Sequence, residues 1–255
     1  MKYNINNLIP EGRLKSFLRR VYRVFKPLPF REYRKSGLWI YEFKNGITIK
    51  LHENTFINLS APLVGYLKEY TPKQGDIIID AGAFNGSFSI YCSKLVGDKG
   101  KIFALEPNDS NYRNLLRNIR LNKVKNIIPL KIGLWSKSTI LKLSDDTSLS
   151  TFIDGMFGKK EKYIKVKTTT LDSLVKKYKL KRLNLIKMDI EGAEIEAIKG
   201  AKQTLKKLAP KLAIASYHEL NGVLTYKILE EQFKELGYKS RTKFPKHLTT
   251  YAYKK

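Results

Sequence analysis

Three groups of residues in this chain have types and spacings suited to chemistry. The first is Asp80-Ala81-Gly82-Ala83-Phe84-Asn85-Gly86, directly after the apolar run Ile77-Ile78-Ile79. Gly82 lets backbone approach a ligand with no side chain in the way, and Gly86 opens the segment that follows. The second is Glu106, closing the apolar run Ile102-Phe103-Ala104-Leu105, where a carboxylate can accept hydrogen bonds from both hydroxyls of a ribose. A glycine turn followed by an acid serves two kinds of ligand. The dinucleotide fingerprint G-x-G-x-x-G cradles a pyrophosphate. Here the spacing is D-x-G-x-x-x-G, with one glycine fewer and Asp80 at the strand end. A carboxylate on that rim repels a diphosphate and suits a ligand with ammonium and sulfonium charges, which favours S-adenosylmethionine. The third group is Asp189, Glu191 and His218, three candidates for a base that takes a proton from an acceptor hydroxyl. Glu191 also suits the first turn of the helix that follows, where a negative charge meets the positive end of the dipole. Asp189 and Glu191 alone are too few ligands to predict a metal, so none is expected.

These residues need a scaffold that presents strand ends side by side. After Pro72 the chain alternates apolar strands and amphipathic helices. Strands are expected at 77–79, 101–105, 127–132, 184–188 and 212–215, with two more in the tail. Helices are expected through Leu95, from a cap at Asp109 or Ser110, at 171–178, at 194–208 and at 223–236, with a strand-like segment at 164–166. Repeated βα units with fully apolar strands imply an α/β fold, a doubly wound, mostly parallel sheet covered on both faces. In such a sheet ligands bind beyond the carboxyl ends of the strands, where all three groups fall. The polar stretch 136–163 is long enough to cover that edge as a lid.

Before Pro72 the pattern differs, and the chain divides into an extension, 1–70, and a main domain, 71–255. Leu14, Phe17, Leu18, Val21, Tyr22 and Phe25 lie at helix-face spacing opposite Arg13, Lys15, Arg19, Arg20, Arg23 and Lys26. A basic amphipathic helix over 11–26 suits an anionic membrane surface as well as packing on the protein body. Trp39 to Ile49 reads as a hairpin turning at Asn45-Gly46, and 62–70 as a helix leading into the main domain.

Composition narrows the classes. The 255 residues include one cysteine, Cys92, so an internal disulfide is excluded and a reducing, cytoplasmic setting is expected. With 49 Lys and Arg against 23 Asp and Glu, the formal net charge is +26, which attracts polyanions. RNA methylation at a ribose hydroxyl is therefore the alternative to a small-molecule or glycan acceptor. Methylation of a base nitrogen is disfavoured, because the turn after 184–188 reads Asp189-Ile190-Glu191-Gly192 and lacks a Pro-Pro-aromatic run. A third reading is a catalytically silent binding module on the same scaffold.

Asp80-Ala81-Gly82-Ala83, Leu105-Glu106-Pro107-Asn108, the stretch Leu185 to Glu194 (LIKMDIEGAE) and Ile198-Lys199-Gly200-Ala201 together resemble the FkbM-type methyltransferases, over roughly 71–217. The resemblance implies a Rossmann-like class I methyltransferase fold, S-adenosylmethionine as cofactor, and O-methylation of hydroxyls, often on sugars or secondary metabolites. It implies that Asp80, Gly82, Ala83, Asn85 and Gly86 surround the methionine moiety and that Glu106, with Pro107, holds the ribose. It further implies that Gly133, Leu134 and Trp135 lie near the adenine, and that Asp189 stands beside the transferable methyl. One position departs from the family pattern: Phe84 stands where an Asn usually follows D-x-G-A, with Asn85 one place later.

Overall fold

The computed structural model describes residues 29–55, 63–144, 163–220, 222–243 and 247–254. The predicted basic helix over 11–26 lies outside them, as does most of the predicted lid. The described chain begins with a meander of three antiparallel strands, β1 (Phe30–Lys35), β2 (Leu38–Phe43) and β3 (Thr48–Leu51), of which the last two form the expected hairpin. Strand β1 had no signal in the sequence. It is a polar edge strand in which only Phe30 is buried. The expected helix over 62–70 is, in its described part, a single turn, α1 (Val64–Tyr66).

The main domain follows as β4 (Ile77–Ala81), α2 (Ser87–Val96), β5 (Lys101–Leu105), α3 (Asp109–Leu121), β6 (Ile127–Leu130), β7 (Gly133–Leu134), β8 (Ile140–Ser144), β9 (Tyr163–Thr169), α4 (Leu171–Lys177), β10 (Leu185–Met188), α5 (Glu194–Lys199), α6 (Lys202–Lys207), β11 (Lys211–Ala215), the short pair β12 (Glu219–Leu220) and β13 (Val223–Leu224), α7 (Thr225–Glu235), β14 (Lys239–Lys243) and β15 (Thr249–Tyr253). Seven strands form one sheet in the order β14-β15-β11-β10-β4-β5-β6. Strands β4, β5, β6, β10 and β11 are parallel, and β15 runs antiparallel between β11 and β14.

The apolar strands are continuous because both faces are covered. Ile79, Phe103, Ile186 and Ile214 enter one core, while their neighbours Ile78, Ile102, Leu185 and Ala213 enter the other. The second core also takes in Tyr41, Phe43, Ile49 and Leu51, so the meander packs on the main sheet rather than standing apart from it. Strand order reverses between β4 and β10, which lie side by side with Lys187 opposite Asp80 and Met188 opposite Ala81. That switch point is where an open α/β sheet forms its crevice.

Three local expectations are corrected. The cap of α3 is Asn108, whose side chain accepts from the N–H groups of Ser110 and Asn111. The helix expected over 194–208 is two, α5 and α6, broken at Gly200, where a Cβ would strike the carbonyl oxygen of Trp135. The strand at 164–166 is the middle of β9, which pairs with β7 and β8 in a separate three-stranded sheet.

Candidate active site

The turn after β4 and the acid after β5 meet. Glu106 is almost wholly buried, and its two carboxylate oxygens accept from the backbone N–H groups of Phe84 (2.8 Å) and Asn108 (2.9 Å). Burial raises its pKa, and those two bonds pull it back part of the way. Each oxygen keeps a lone pair, so the carboxylate can still accept two hydroxyl groups. That is the acceptor set a ribose needs. Phe84, at φ 52°, holds a left-handed conformation unusual for an aromatic residue, and it is exposed.

Gly82 has a structural reason of its own. At φ +77° it turns the chain past the strand end, and a Cβ there would strike the carbonyl oxygen of Asp189. The first turn thus lies directly against the turn after β10. The carboxylate expected on the rim at Asp80 is not there. Asp80 is fully buried, accepts from Ser89 Oγ (2.6 Å), and pairs with the buried Lys187 ammonium at 3.0 Å. Lys187 also donates to the carbonyl oxygen of Gly82 (2.7 Å). Burial works against its charge, but Asp80 and Asp189 outweigh burial and raise its pKa.

Asn85 and Gly86 are likewise taken up by packing. The buried Asn85 amide donates to Thr55 Oγ1 (2.6 Å), and Gly86 is the left-handed residue that starts α2 against Leu115. Ala83 is buried in the core, and Pro107 lies half-buried beside Glu106. Leu134 is buried and Trp135 packs against the same cluster, tied through its N–H to the carbonyl oxygen of Thr169 (3.0 Å).

The negative group at the mouth is Asp189. Its carboxylate is partly exposed and accepts from Tyr66 Oη (2.9 Å) on one oxygen and Tyr217 Oη (3.0 Å) on the other. The imidazole of His247 lies 4.0 Å from Asp189 Oδ2 and 3.4 Å from Tyr66 Oη, with its ring edge-on to those of Tyr66 and Tyr217. Burial would raise the Asp189 pKa, but Lys187, His247 and the Tyr66 hydroxyl lower it overall. Burial lowers that of His247, with Asp189 opposing. Both tyrosine hydroxyls are pushed above the ordinary phenol value, by burial and then by Asp189.

Glu191 and His218 stand one step away. Glu191 adopts φ +55°, a strained backbone for a residue with a side chain, and Oε2 lies 3.1 Å from His218 Nε2. On the other side of the ring, Nδ1 faces Glu194 Oε2 at 3.6 Å. Burial disfavours the His218 charge, but the carboxylates of Glu191 and Glu194 more than offset it and lift the pKa to about 10. One ligand atom each from Asp189, Glu194 and His218 lies within 4.8 Å of the others. The expectation of no metal had weighed Asp189 with Glu191 alone; the fold brings Glu194 and His218 to the first of these.

Tyr66, Tyr217, Glu194 and His247 were therefore missing from the sequence-based site. Tyr66 is 123 positions from Asp189 and falls in what read as an extension. His247 sits just before the last strand with nothing beside it to mark it. Glu194 was visible in the LIKMDIEGAE stretch but read as a helix residue.

With this geometry in place, comparison with known proteins is specific. Residues 80–240 match the family model described as the methyltransferase FkbM domain. Hexuronic acid methyltransferase AglP of Haloferax volcanii is 28% identical over 134 residues, 52% of this chain and 53% of that protein. Methyltransferase sdnD of Sordaria araneosa is 29% identical over 178 residues, 57% of this chain and 68% of that protein. The crystal structure of methyltransferase FkbM from Methylobacillus flagellatus KT superposes with a TM-score of 0.57 at 18% identity, over 76% of this chain and 48% of that one. The chain thus spans about half the length of AglP and of the Methylobacillus flagellatus protein. The last likeness shows the fold, the Rossmann-like class I arrangement expected from the sequence.

Proposed function

This chain belongs to the methyltransferase FkbM domain family and takes S-adenosylmethionine as its cofactor, and from that premise we propose that it methylates a hydroxyl of a sugar or related small molecule. The observation that carries the reading is the pairing of two sites across the β4–β10 switch point. One is a buried carboxylate with lone pairs to spare for a ribose, and the other is a partly exposed Asp189 ringed by Tyr66, Tyr217 and His247. A relative named for hexuronic acid supports a sugar-like acceptor.

In this reading Glu106 and the backbone of 82–84 hold the nucleoside end of the cofactor. When bound, S-adenosylmethionine supplies an electrophilic methyl, which an acceptor oxygen takes with its electron pair as the carbon–sulfur bond breaks to leave a neutral thioether. The chain's part is to hold the reacting groups in contact and in line, and to remove the acceptor proton. His247 is the base. Its ring stands among Asp189, Tyr66 and Tyr217 at the mouth, and the carboxylate balances the charge it gains with the proton. Of the bases expected from sequence, His218 and Glu191 are paired with each other, and Asp189 accepts from the hydroxyls of Tyr66 and Tyr217.

The test is to incubate the protein with methyl-labelled S-adenosylmethionine and a cognate extract, then fractionate. Label in a saccharide fraction that survives mild alkali marks a methyl ether and supports the reading. Alkali-labile label marks an ester and corrects the acceptor group. Label in RNA replaces the acceptor class, and no label in any fraction overturns the proposal.

A further inference from the structure

Three carboxylates meet at the mouth of the cleft, one of them fully buried. Asp189, Glu191 and Glu194 converge there, and among the described residues the Lys187 ammonium nearby is matched by Asp80 while the His218 imidazole stands between Glu191 and Glu194. Glu194 is completely buried, and one of its oxygens accepts from the N–H of Ile190 (2.8 Å). The other, Oε2, has no hydrogen-bond partner among the described residues. It faces His218 Nδ1, which has none either, at 3.6 Å. That separation is within ion-pair reach of a charged imidazole but too long for a hydrogen bond, and two buried polar atoms without a hydrogen bond are costly. It does match two ligands on one ion: donors about 2.0–2.2 Å from a tetrahedral cation lie about 3.5 Å apart.

The outer contacts fit the same picture. A histidine that binds a metal through one nitrogen almost always gives its other ring N–H to a carboxylate, which fixes the tautomer. His218 Nε2 lies 3.1 Å from Glu191 Oε2, so the ring that keeps its proton on that side presents the lone pair of Nδ1 once the Nδ1 proton leaves as the cation binds. Each remaining donor is oriented too. Tyr66 and Tyr217 hold Asp189, and the Ile190 N–H holds Glu194. The strained backbone of Glu191 is what brings this outer carboxylate to the ring.

We propose that Asp189, Glu194 and His218 bind a divalent first-row transition cation, with Glu191 as the outer carboxylate that orients His218. Two oxygens and one imidazole suit Mn²⁺ or Zn²⁺ better than Ca²⁺, which prefers an all-oxygen shell. Three protein ligands leave a position open, as catalytic cation sites do. Resting on the methyl-transfer reading, the cation's role is to receive the acceptor oxygen there and ease loss of its proton to His247.

The experiment is calorimetric titration of chelator-treated full-length protein with Mn²⁺ and with Zn²⁺, joined to electron-spin-echo spectroscopy of the Mn²⁺ form. The expected result is one saturable equivalent and nitrogen coupling from a bound imidazole. In His218→Gln that coupling vanishes and affinity falls more than about 100-fold, whereas Glu191→Gln costs about 10–100-fold. Circular dichroism confirms that each variant is folded. Wild-type protein that binds no equivalent, or a folded His218→Gln with unchanged affinity and coupling, overturns the proposal. S-adenosylhomocysteine binding is measured in parallel. Its loss with the cation retained counts against the methyl-transfer reading, and its retention with the cation lost counts against the cation alone.

Discussion

Asp80 and Asp189 close neighbouring parallel strands at the same edge of the same sheet, yet they serve opposite ends. Asp80 is fully buried, held by Ser89 and matched by Lys187, a residue of the very strand that Asp189 follows. Asp189 lies one residue beyond its strand, partly open, and its partners are hydroxyls and imidazoles rather than a committed cation. The β4–β10 register sets this difference. With Lys187 opposite Asp80, the strand that carries the reactive acid also supplies the charge that silences the other one. Gly82 then lets the two turns touch. A carboxylate type at a strand end is therefore not evidence of a reactive rim until its neighbour across the ladder is known.

The comparison can be broken most forcefully at Lys187. Lys187→Met leaves Asp80 as a buried, unmatched charge and should cost about 3–5 kcal/mol in urea unfolding. Adding Asp80→Asn removes that charge, and the double variant should recover much of the loss, because residues in contact do not act additively. If the two single losses simply add, the ion pair is not what holds this turn.

Asp189→Asn should do the reverse. Stability should change by about 1 kcal/mol or less, as for other partly exposed sites, while methyl transfer falls by about 10²-fold or more. Full activity in the asparagine variant would remove Asp189 from the reaction. Gly82→Ala tests the contact between the two regions. Its Cβ needs the Asp189 carbonyl to move on top of the about 1–2 kcal/mol cost of a left-handed backbone, so more than that should be lost, together with activity.

A further effect is electrostatic and appears in cation-free protein. The His218 pKa is raised to about 10, mainly by its two glutamates working against burial. A group raised on folding contributes stability that is complete below its unfolded value, near 6.5, and is lost as pH rises through its folded one. The Tm difference between wild type and His218→Gln should therefore shrink steadily from pH 7 to about 10. A difference that stays constant across that range would mean that the imidazole is neutral in the fold.

How much of this was legible beforehand follows from the range of each interaction. The strands of the main sheet were readable because burial on both faces makes them continuously apolar, as in Ile77-Ile78-Ile79. Strand β1 was not, because an edge strand such as Arg31-Glu32-Tyr33 needs no apolar period. The break at Gly200 depends on Trp135, some sixty positions earlier, and no local pattern announces it. In the site, Asp189, Glu191 and His218 were found because they follow strand ends. Tyr66 and His247 reach the same mouth from a single helical turn and from the loop before the last strand, and only the fold brings them together. The basic amphipathic helix expected over 11–26, suited to an anionic membrane or to packing on the body, calls for its own check. Removing residues 1–28 should weaken flotation with anionic vesicles but not with neutral ones, and equal flotation would leave the +26 charge without that partner.

The most direct test of the account is calorimetric titration of wild type and Glu106→Ala with S-adenosylhomocysteine. It predicts one molecule bound per chain, with affinity reduced by about 10–150-fold in the variant, the worth of hydrogen bonds to a charged acceptor. A folded wild-type protein that binds none, or a folded variant that binds as tightly, would contradict it.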